Sequence, residues 1–512
     1  MENEAAIRAC LDLLDQTRRL PLEDEQRRLL EQAASDLVRD GRRRRRAARR
    51  AVRASADAEL LATTATGAPD RIMDAALTAE TPHRSGLSVH DYVQGHSGPG
   101  AVTRRPPERV PDNDAPPGLL NRPQRCYVCK THYRQLHHFY GQLCPGCADE
   151  NFTRRTARTD LTGRRALLTG GRVKIGFHMA LMLLRDGAEV TVTTRFPQDA
   201  AGRFAAAPGA ADWWHRLRIV ALDLRDPRQV LALTDHLLGR AAPLDILVNN
   251  AAQTLHRSPR AYRALVAAEA AVGAAPPSAT AEIWTAPGFT VPGAHAAALP
   301  LTAELASRPR VSSAPAHSRG EDEAALAVNP DPDPDPDPQE RTDEAGLLPE
   351  TGTSNSWTLR LGQVEPAELL EVQLVNAVAP FLLADRLLPL LDASPHPSRY
   401  LINVSAVEGQ FAARNKTAGH PHTNMAKAAL NMLTRTSATD LARRGIHTCS
   451  VDTGWVTDEK PLAARERHAA TGWRPPLDVI DGAARIYHPI VQGQAGNPIH
   501  GVLLKDYRHV AW

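Results

Sequence analysis

Aromatic residues supply only 4% of the 512 positions, and there are six cysteines. Six cysteines cannot cross-link a chain of this length into a disulfide scaffold. No stretch reaches the roughly 18–20 apolar residues that a membrane span needs, so no membrane association is expected. The first residues, MENEAAIRACLDLL, are acidic and lack the basic start and apolar run of a signal peptide. The expected location is the cytoplasm. Net charge is only +3, which excludes a surface that attracts polyanions as a whole. Proline, by contrast, is abundant at 40 residues. With so few aromatics, that predicts a packed core diluted by segments without regular structure.

Charge and proline are unevenly placed. Residues 1–60 carry helical spacing: Ile7, Leu11 and Leu14, a break at Pro21, then Leu29, Leu30, Ala33 and Leu37. GRRRRRAARRAVR at 41–53 is either a solvated helix face or a contact with an acidic protein or nucleic acid. No interleaved aromatics support base stacking there. Residues 61–120 are rich in Pro, Gly, Asp and Ser and read as a linker without regular structure. Residues 260–355 form a second such stretch, a Pro/Ala/Asp-rich insertion containing NPDPDPDPDPQE. Alternating Asp-Pro lacks half its amide donors and repels itself, so it forms neither helix nor central strand. Within this insertion, Ile283-Trp284-Thr285 is the part expected to dock on the core.

Four of the cysteines fall together in CYVCKTHYRQLHHFYGQLCPGC, residues 126–147. Cys126/Cys129 and Cys144/Cys147 are two Cys-x-x-Cys pairs. Each gap lets a tight turn present two sulfurs to one ion, and four thiolates complete a tetrahedral zinc shell. The segment 121–155 is therefore expected to be a small, closed, structural zinc ribbon. His137 and His138 lie between the knuckles and are read as structural. Cys10 and Cys449 are isolated. Ribbons of this kind bind proteins or nucleic acid, and the sequence does not say which.

From Asp160 the pattern changes. RALLTGGRVKIGFHMALMLLRDGAEVTVTTRFP gives strand, glycine turn, helix and strand. In such a βαβ unit, glycines let a pyrophosphate approach the helix N-terminus. RLRIVALDLRD (216–226) adds a third strand ending in Asp223, and LDILVNNAA (244–252) a fourth ending in Asn249 and Asn250. After the insertion come a helix carrying Asn376, the strand YLINVSAV, a helix carrying Lys427, the strand IHTCSVDTGW and the closing strand GVLLKDY. Strands that alternate with helices and are apolar along their length predict a Rossmann-type, doubly wound parallel sheet. The α/β fold would occupy 160–259 and 356–512, preceded by the helical basic segment and the ribbon.

These motifs resemble the short-chain dehydrogenase/reductase family: Thr169-Gly170 with Ile175-Gly176, Asp223-Leu224, Asn249-Asn250-Ala251-Ala252, Asn376, Lys427 and Gly454. The resemblance covers roughly half the chain. It implies that Gly170, Gly176 and the amides between them hold a pyrophosphate. It implies an adenine contact at Asp223 and Leu224, a ribose and strand support at Asn249, cofactor contacts at Ile175, Ala251 and Gly454, and a ribose contact at Lys427. The family's middle glycine is Lys174 here. After the second strand stands Thr194-Arg195 in place of an acid that would hold the ribose hydroxyls, with Arg172 in the turn. Arginine pairs well with phosphate, so NADP(H) is expected over NAD(H).

The catalytic positions depart from the family. In HPHTNMAKAALNML (420–433) the position four before Lys427, usually tyrosine, is Thr423. In Asn403-Val404-Ser405-Ala406-Val407-Glu408-Gly409 the serine slot holds Ala406, and Ser405 falls one residue early. In an extended chain that points Ser405 to the other face. An aliphatic hydroxyl is too weak an acid to stand in for a phenol. Asn376 and Lys427 match, and His420 and His422 are the candidate acids, since imidazole titrates near neutral pH. Asp452 either contacts substrate or caps a turn. The leading expectation is an NADP-dependent oxidoreductase acting on an unidentified small carbonyl or alcohol, with structural zinc. The alternative is a non-catalytic NADPH-binding protein whose ribbon and arginine segment engage a protein or nucleic-acid partner. Self-association is left open.

Overall fold

The computed structural model describes residues 2–72, 75–77, 118–272, 282–291 and 342–512. The Asp-Pro run and most of the expected linker lie outside these residues. The chain opens with helix α1 (Glu2–Arg18) and the long helix α2 (Glu25–Ala62). The break falls at Pro21, where a helix cannot donate its backbone hydrogen bond. Ile7, Leu11, Leu29 and Leu37 are more than half exposed, so no described element covers the apolar side of this hairpin. The C-terminal end of α2 is anchored instead. Buried Asp57 accepts from the Asn121 and Arg122 backbone amides at 2.6 and 3.0 Å.

A two-stranded sheet follows, β1 (Leu119–Arg125) with β2 (His132–Gln135), and then α3 (Pro145–Arg155). Beyond it lies the main sheet. In chain order its first strands are β3 (Arg165–Thr169), β4 (Glu189–Thr194), β5 (Leu217–Ala221) and β6 (Ile246–Asn249). They are linked by α4 (Lys174–Arg185), α5 (Pro197–Ala205) and α6 (Pro227–Arg240). The insertion contributes α7 (Pro259–Val272) and a strand β7 (Glu282–Thr285). The second half supplies α8 (Pro366–Gln373), a five-residue π turn at Leu374–Val378, α9 (Ala379–Asp392), β8 (Arg399–Ser405), α10 (Pro421–Arg443) and β9 (Ile446–Asp452). It closes with α11 (Leu462–Ala470), α12 (Val479–Gln494), β10 (Leu503–Lys505) and β11 (Arg508–Val510).

The spatial order is β11-β10-β9-β8-β6-β3-β4-β5-β7. Every neighbouring pair is parallel except β10 with β11. The order reverses at β3/β6, and ligands of such sheets bind at that switch point, beyond the carboxyl ends of the strands. Strand burial is nearly continuous, as expected for a sheet covered on both faces. One core packs α4 and α12 on the sheet through Leu183, Val190, Ile219 and Ile486. The other packs α6 and α9 through Leu167, Leu233, Leu247 and Leu387.

Three expectations change. The 61–120 linker starts later than the composition suggests, because residues 61–72 and 75–77 belong to the packed body. Arg71 is buried and donates to the Thr66, Pro475 and Leu477 carbonyls at 3.0, 2.7 and 2.5 Å. The insertion is structured at both ends, and Ile283 and Trp284 dock as expected, in β7 beside Ile219 and Val220. Finally, one helical stretch, Pro366–Asp392, is long and apolar enough to span a membrane by composition. Here it lies on the sheet with Leu383, Leu387 and Leu391 in the core.

Candidate functional site

The glycine turn between β3 and α4 is fixed by what cannot fit in it. Gly170 has φ +73°, and a Cβ there would lie 3.0 Å from the Ala251 Cα. A Cβ on Gly176 would collide with the Gly170 carbonyl and sit 2.6 Å from Asn250 Nδ2. That close packing leaves the first amides of α4 pointing outward without intrahelical acceptors, an arrangement suited to anions. Lys174 stands at φ +52°, the left-handed region in which glycine is free of strain. The backbone at Lys174 therefore holds a conformation that glycine would adopt without strain.

The turn opens on a crevice of about 400 Å³, lined among others by Gly170, Arg172, Thr194, Arg195, Asp223 and Ala251. Lys174, Ile175, Gly176 and Leu224 also line it, as expected from the sequence. At its β4 end Arg195 donates to the Tyr262 hydroxyl at 3.2 Å and lies 5.1 Å from that ring. Arg172 stacks 5.3 Å over Phe196 and pairs with Asp199 at 2.6 Å. Asp223 is held by Arg225 at 2.7 Å, and Arg225 bridges on to Glu371 at 3.1 Å. Three arginines thus frame one end of the crevice.

Other predicted positions fall elsewhere. Asn249 does not line the crevice. Its side-chain amide donates to Asn403 Oδ1 at 2.9 Å, tying β6 to β8. The neighbouring Asn250 faces the crevice and braces the turn, donating to the Thr169 and Gly170 carbonyls at 3.0 and 3.1 Å. Gly454 (φ +79°) also sits outside it, packed so that a Cβ would meet Leu477 at 2.6 Å. Asp452 caps the turn: it accepts from the Gly454 amide at 2.8 Å and pairs with Lys505 at 2.5 Å.

The catalytic candidates split. Asn376 holds the backbone of Gln253 from both sides, accepting at 2.7 Å and donating at 3.0 Å. Lys427 is buried, and its ammonium donates to the Val404 carbonyl at 2.8 Å. Burial pushes its pKa down to about 8, against the opposing charge of Glu408. Thr423 is 1% exposed and its hydroxyl has no partner. Ser405, also buried, has none either. His422 is 3% exposed with Nε2 3.2 Å from Glu368. His420 stacks on Trp357 at 4.1 Å between centroids, with Nδ1 2.8 Å from the Trp357 carbonyl. None of Asn376, Lys427, His420 and His422 is among the residues lining the crevice.

Sequence reasoning missed a polar cluster beside Asn376. Gln253 Nε2 donates to Glu371 Oε2 at 2.8 Å, and His256 Nδ1 lies 3.0 Å from the same oxygen. His256 borders a second hollow, of about 310 Å³, which shares Lys174, Leu255, Arg257 and Glu459 with the crevice. The bond to Glu371 raises the His256 pKa although burial opposes it. Glu371 goes the other way: burial would raise it, but His256 and Arg225 bring it down to about 2. The partners are 115 residues apart, with the insertion between them, so no local pattern could have linked them.

The four cysteines meet as expected. Sγ atoms of Cys126, Cys129, Cys144 and Cys147 all lie within 4.8 Å of one another, a spacing that suits four thiolates around a tetrahedral ion with bonds of about 2.3 Å. The ribbon is not separate from the sheet domain, however. Tyr140, Leu136 and Leu143 share a core with Val456, Leu477 and Val479. Tyr140 donates to Asp481 at 2.5 Å, and Arg155 pairs with Asp481 at 3.0 Å and with Asp478. Tyr127, inside the first knuckle, accepts from the Trp455 amide at 2.8 Å. Trp455 lies in the loop whose Thr457 and Glu459 reach the crevice.

Two family models and several known proteins match parts of this chain. The family model for short chain dehydrogenase matches residues 164–267, and that for enoyl-(acyl carrier protein) reductase matches 345–472. The chain is 32% identical to the C-signal protein of Myxococcus xanthus over 168 residues, which is 32% of this chain and 91% of that protein. An uncharacterized protein of Acanthamoeba polyphaga mimivirus is 29% identical over 386 residues, 71% of each chain. Among solved structures, an NADPH-bound carbonyl reductase from chicken fatty liver is 18% identical, with a TM-score of 0.38 over 69% of this chain and 100% of its own. The chain belongs to the short-chain dehydrogenase/reductase family.

Proposed function

We propose that the protein is an NADP(H)-dependent oxidoreductase that interconverts a small carbonyl compound and its alcohol. The observation that carries this reading is the crevice itself. Two glycines at positions where a Cβ would clash, the amides of an α4 N-terminus, and Arg172 and Arg195 at the end of β4 make a place for a dinucleotide with an extra phosphate. Gly170, Lys174, Ile175 and Gly176 would hold the pyrophosphate, Arg195 and Arg172 the 2′-phosphate, and Lys427 the nicotinamide ribose. Bound there, the cofactor would supply a hydride. The residues of the chain would orient the acceptor, exclude water and deliver a proton. The test is titration calorimetry with NADPH and NADH, followed by a screen of carbonyl, quinone and imine substrates. Tight NADPH binding and turnover of one substrate class are expected. Equal binding of the two cofactors would remove the assignment to NADP.

A specific observation favours a second reading. The tyrosine position is the sealed Thr423, and the serine slot is Ala406. A protein that binds NADPH tightly and oxidises it with none of these substrates would be a sensor. Its ribbon and the exposed arginines of 41–53 would then contact an acidic protein or nucleic acid. In either case the four cysteines hold structural zinc.

A further inference from the structure

We propose that His256 is the proton donor of this site, taking the place that the missing tyrosine leaves. The inference rests on the oxidoreductase reading above, and its geometry is independent of Thr423. His256 stands between two things a general acid needs. On one side Glu371, itself 4% exposed, meets Nδ1 at 3.0 Å and fixes the ring. The His256 backbone amide also donates to Ser356 Oγ at 2.7 Å. On the other side the ring borders the hollow that adjoins the cofactor crevice.

The same carboxylate connects His256 to a position the family uses. Glu371 Oε2 accepts from Gln253, whose backbone is clasped by Asn376. One hydrogen-bonded path therefore runs Asn376–Gln253–Glu371–His256. The two histidines nearer in sequence to Lys427 have no such position. His422 is closed in with Glu368, and His420 lies flat on Trp357.

The charges around His256 come from several elements. Glu371 and Glu368 of α8 favour the imidazolium, and Arg225 opposes it. Lys174, Arg257, Arg260, Lys460 and Arg465 border the hollow, and Glu350, Asp458 and Glu459 are its acids. Cations outnumber acids on that side, so the hydrogen bond to Glu371 is what favours the charged ring. The same surplus suits a carbonyl substrate bearing an acid group.

In the reductive direction, a reduced nicotinamide held in the crevice would supply the hydride and be oxidised, and the carbonyl carbon would gain that hydride as its π electrons move to oxygen. The N–H bond at His256 Nε2 breaks as the O–H bond forms, leaving neutral imidazole. Solvent reached through the hollow returns the proton. Glu371 stays ionised throughout and stabilises the charged ring.

Two measurements test this. Histidine side-chain NMR of the full chain, with and without NADPH, should give His256 a pKa above the ordinary value of about 6.5. Glu371→Gln should lower it. A His256 pKa at or below about 6.5 in the unmodified protein overturns the proposal whether or not a substrate is known. With a substrate, His256→Gln and His256→Asn should lower turnover by ~10²–10⁴-fold, the usual loss of a general acid. NADPH affinity and melting temperature should hold. The unmodified rate should fall as pH rises through the His256 pKa, and both variants should lose that limb. If NADPH binds, substrate turns over and His256→Gln stays within about threefold, far short of the loss expected of a general acid, His256 is not the donor and the oxidoreductase reading survives. If NADPH does not bind the unmodified protein, the parent reading fails instead.

Discussion

The cofactor half and the catalytic half of this site have been treated differently. Around β3, β4 and β6 the site is made by the backbone, which at Lys174 adopts the left-handed region where glycine is free of strain. Around β8 and α10 the chemistry would depend on side chains, and the positions the resemblance points to hold Ala406 and Thr423. The family resemblance puts a hydroxyl and a phenol at these two positions, and the Thr423 hydroxyl is sealed without a partner. Binding geometry in such a fold is a backbone property, set by clashes and exposed amides. Proton delivery is a side-chain property and can move to another element without disturbing the sheet.

The largest effect should come from breaking the cofactor half. Gly176→Val forces a side chain into the Gly170 carbonyl. NADPH affinity should fall by more than ~1000-fold, about 4 kcal/mol, read by calorimetry. An unchanged affinity would show that the turn does not carry the cofactor.

Cys144→Ser tests whether the ribbon belongs to either half. Loss of a structural metal should cost at least about 3 kcal/mol. The ribbon shares a core with Val456 and Leu477, so hydrogen exchange should rise in residues 454–459 as well as 121–155. Metal analysis that finds no zinc in the reduced protein defeats the assignment. Exchange confined to 121–155 would mean that the ribbon is independent after all.

Arg195→Ala should cost about 1.5–3 kcal/mol of NADPH affinity, the range for hydrogen bonds to charged groups, and leave NADH unchanged. A parallel loss for both cofactors would place Arg195 on something other than the 2′-phosphate.

The catalytic half should be almost indifferent to Thr423. Thr423→Val removes a buried hydroxyl that has no partner, so stability should rise by about 1 kcal/mol with turnover within a few-fold. A large loss of rate would return Thr423 to the mechanism. The smallest effect belongs to Lys174→Gly. Relieving a left-handed non-glycine residue should add roughly 1 kcal/mol to the melting free energy, measured by denaturant titration.

The sheet was legible because strands and helices announce themselves over a few residues. Leu167, Val192 and Val248 could be placed in strands from their apolar neighbours alone. The pairs were not legible. Asn249 and Asn250 are adjacent and chemically identical, and only the twist at the end of β6 decides which one faces the crevice. Arg71 reads as linker because its three carbonyl acceptors are contributed by distant residues as well as near ones. Tyr127 looks like a residue between two ligands, and its contact with Trp455 lies 328 residues away. His256 and Glu371 are separated by a segment of unrelated composition, so each looks like a lone polar residue.

The π turn at Leu374–Val378 is, in effect, a helix with one residue too many. It sets a phase. Glu368 and Glu371 keep time with the turns before it, and Leu383 and Leu387 with those after it. Removing one residue there would leave the composition almost untouched. Yet with Leu383 held in the core, it would rotate Glu371 by about 100° around the axis, away from Gln253 and His256. The count of residues between Glu371 and Leu383 is therefore as much a part of the site as any side chain in it.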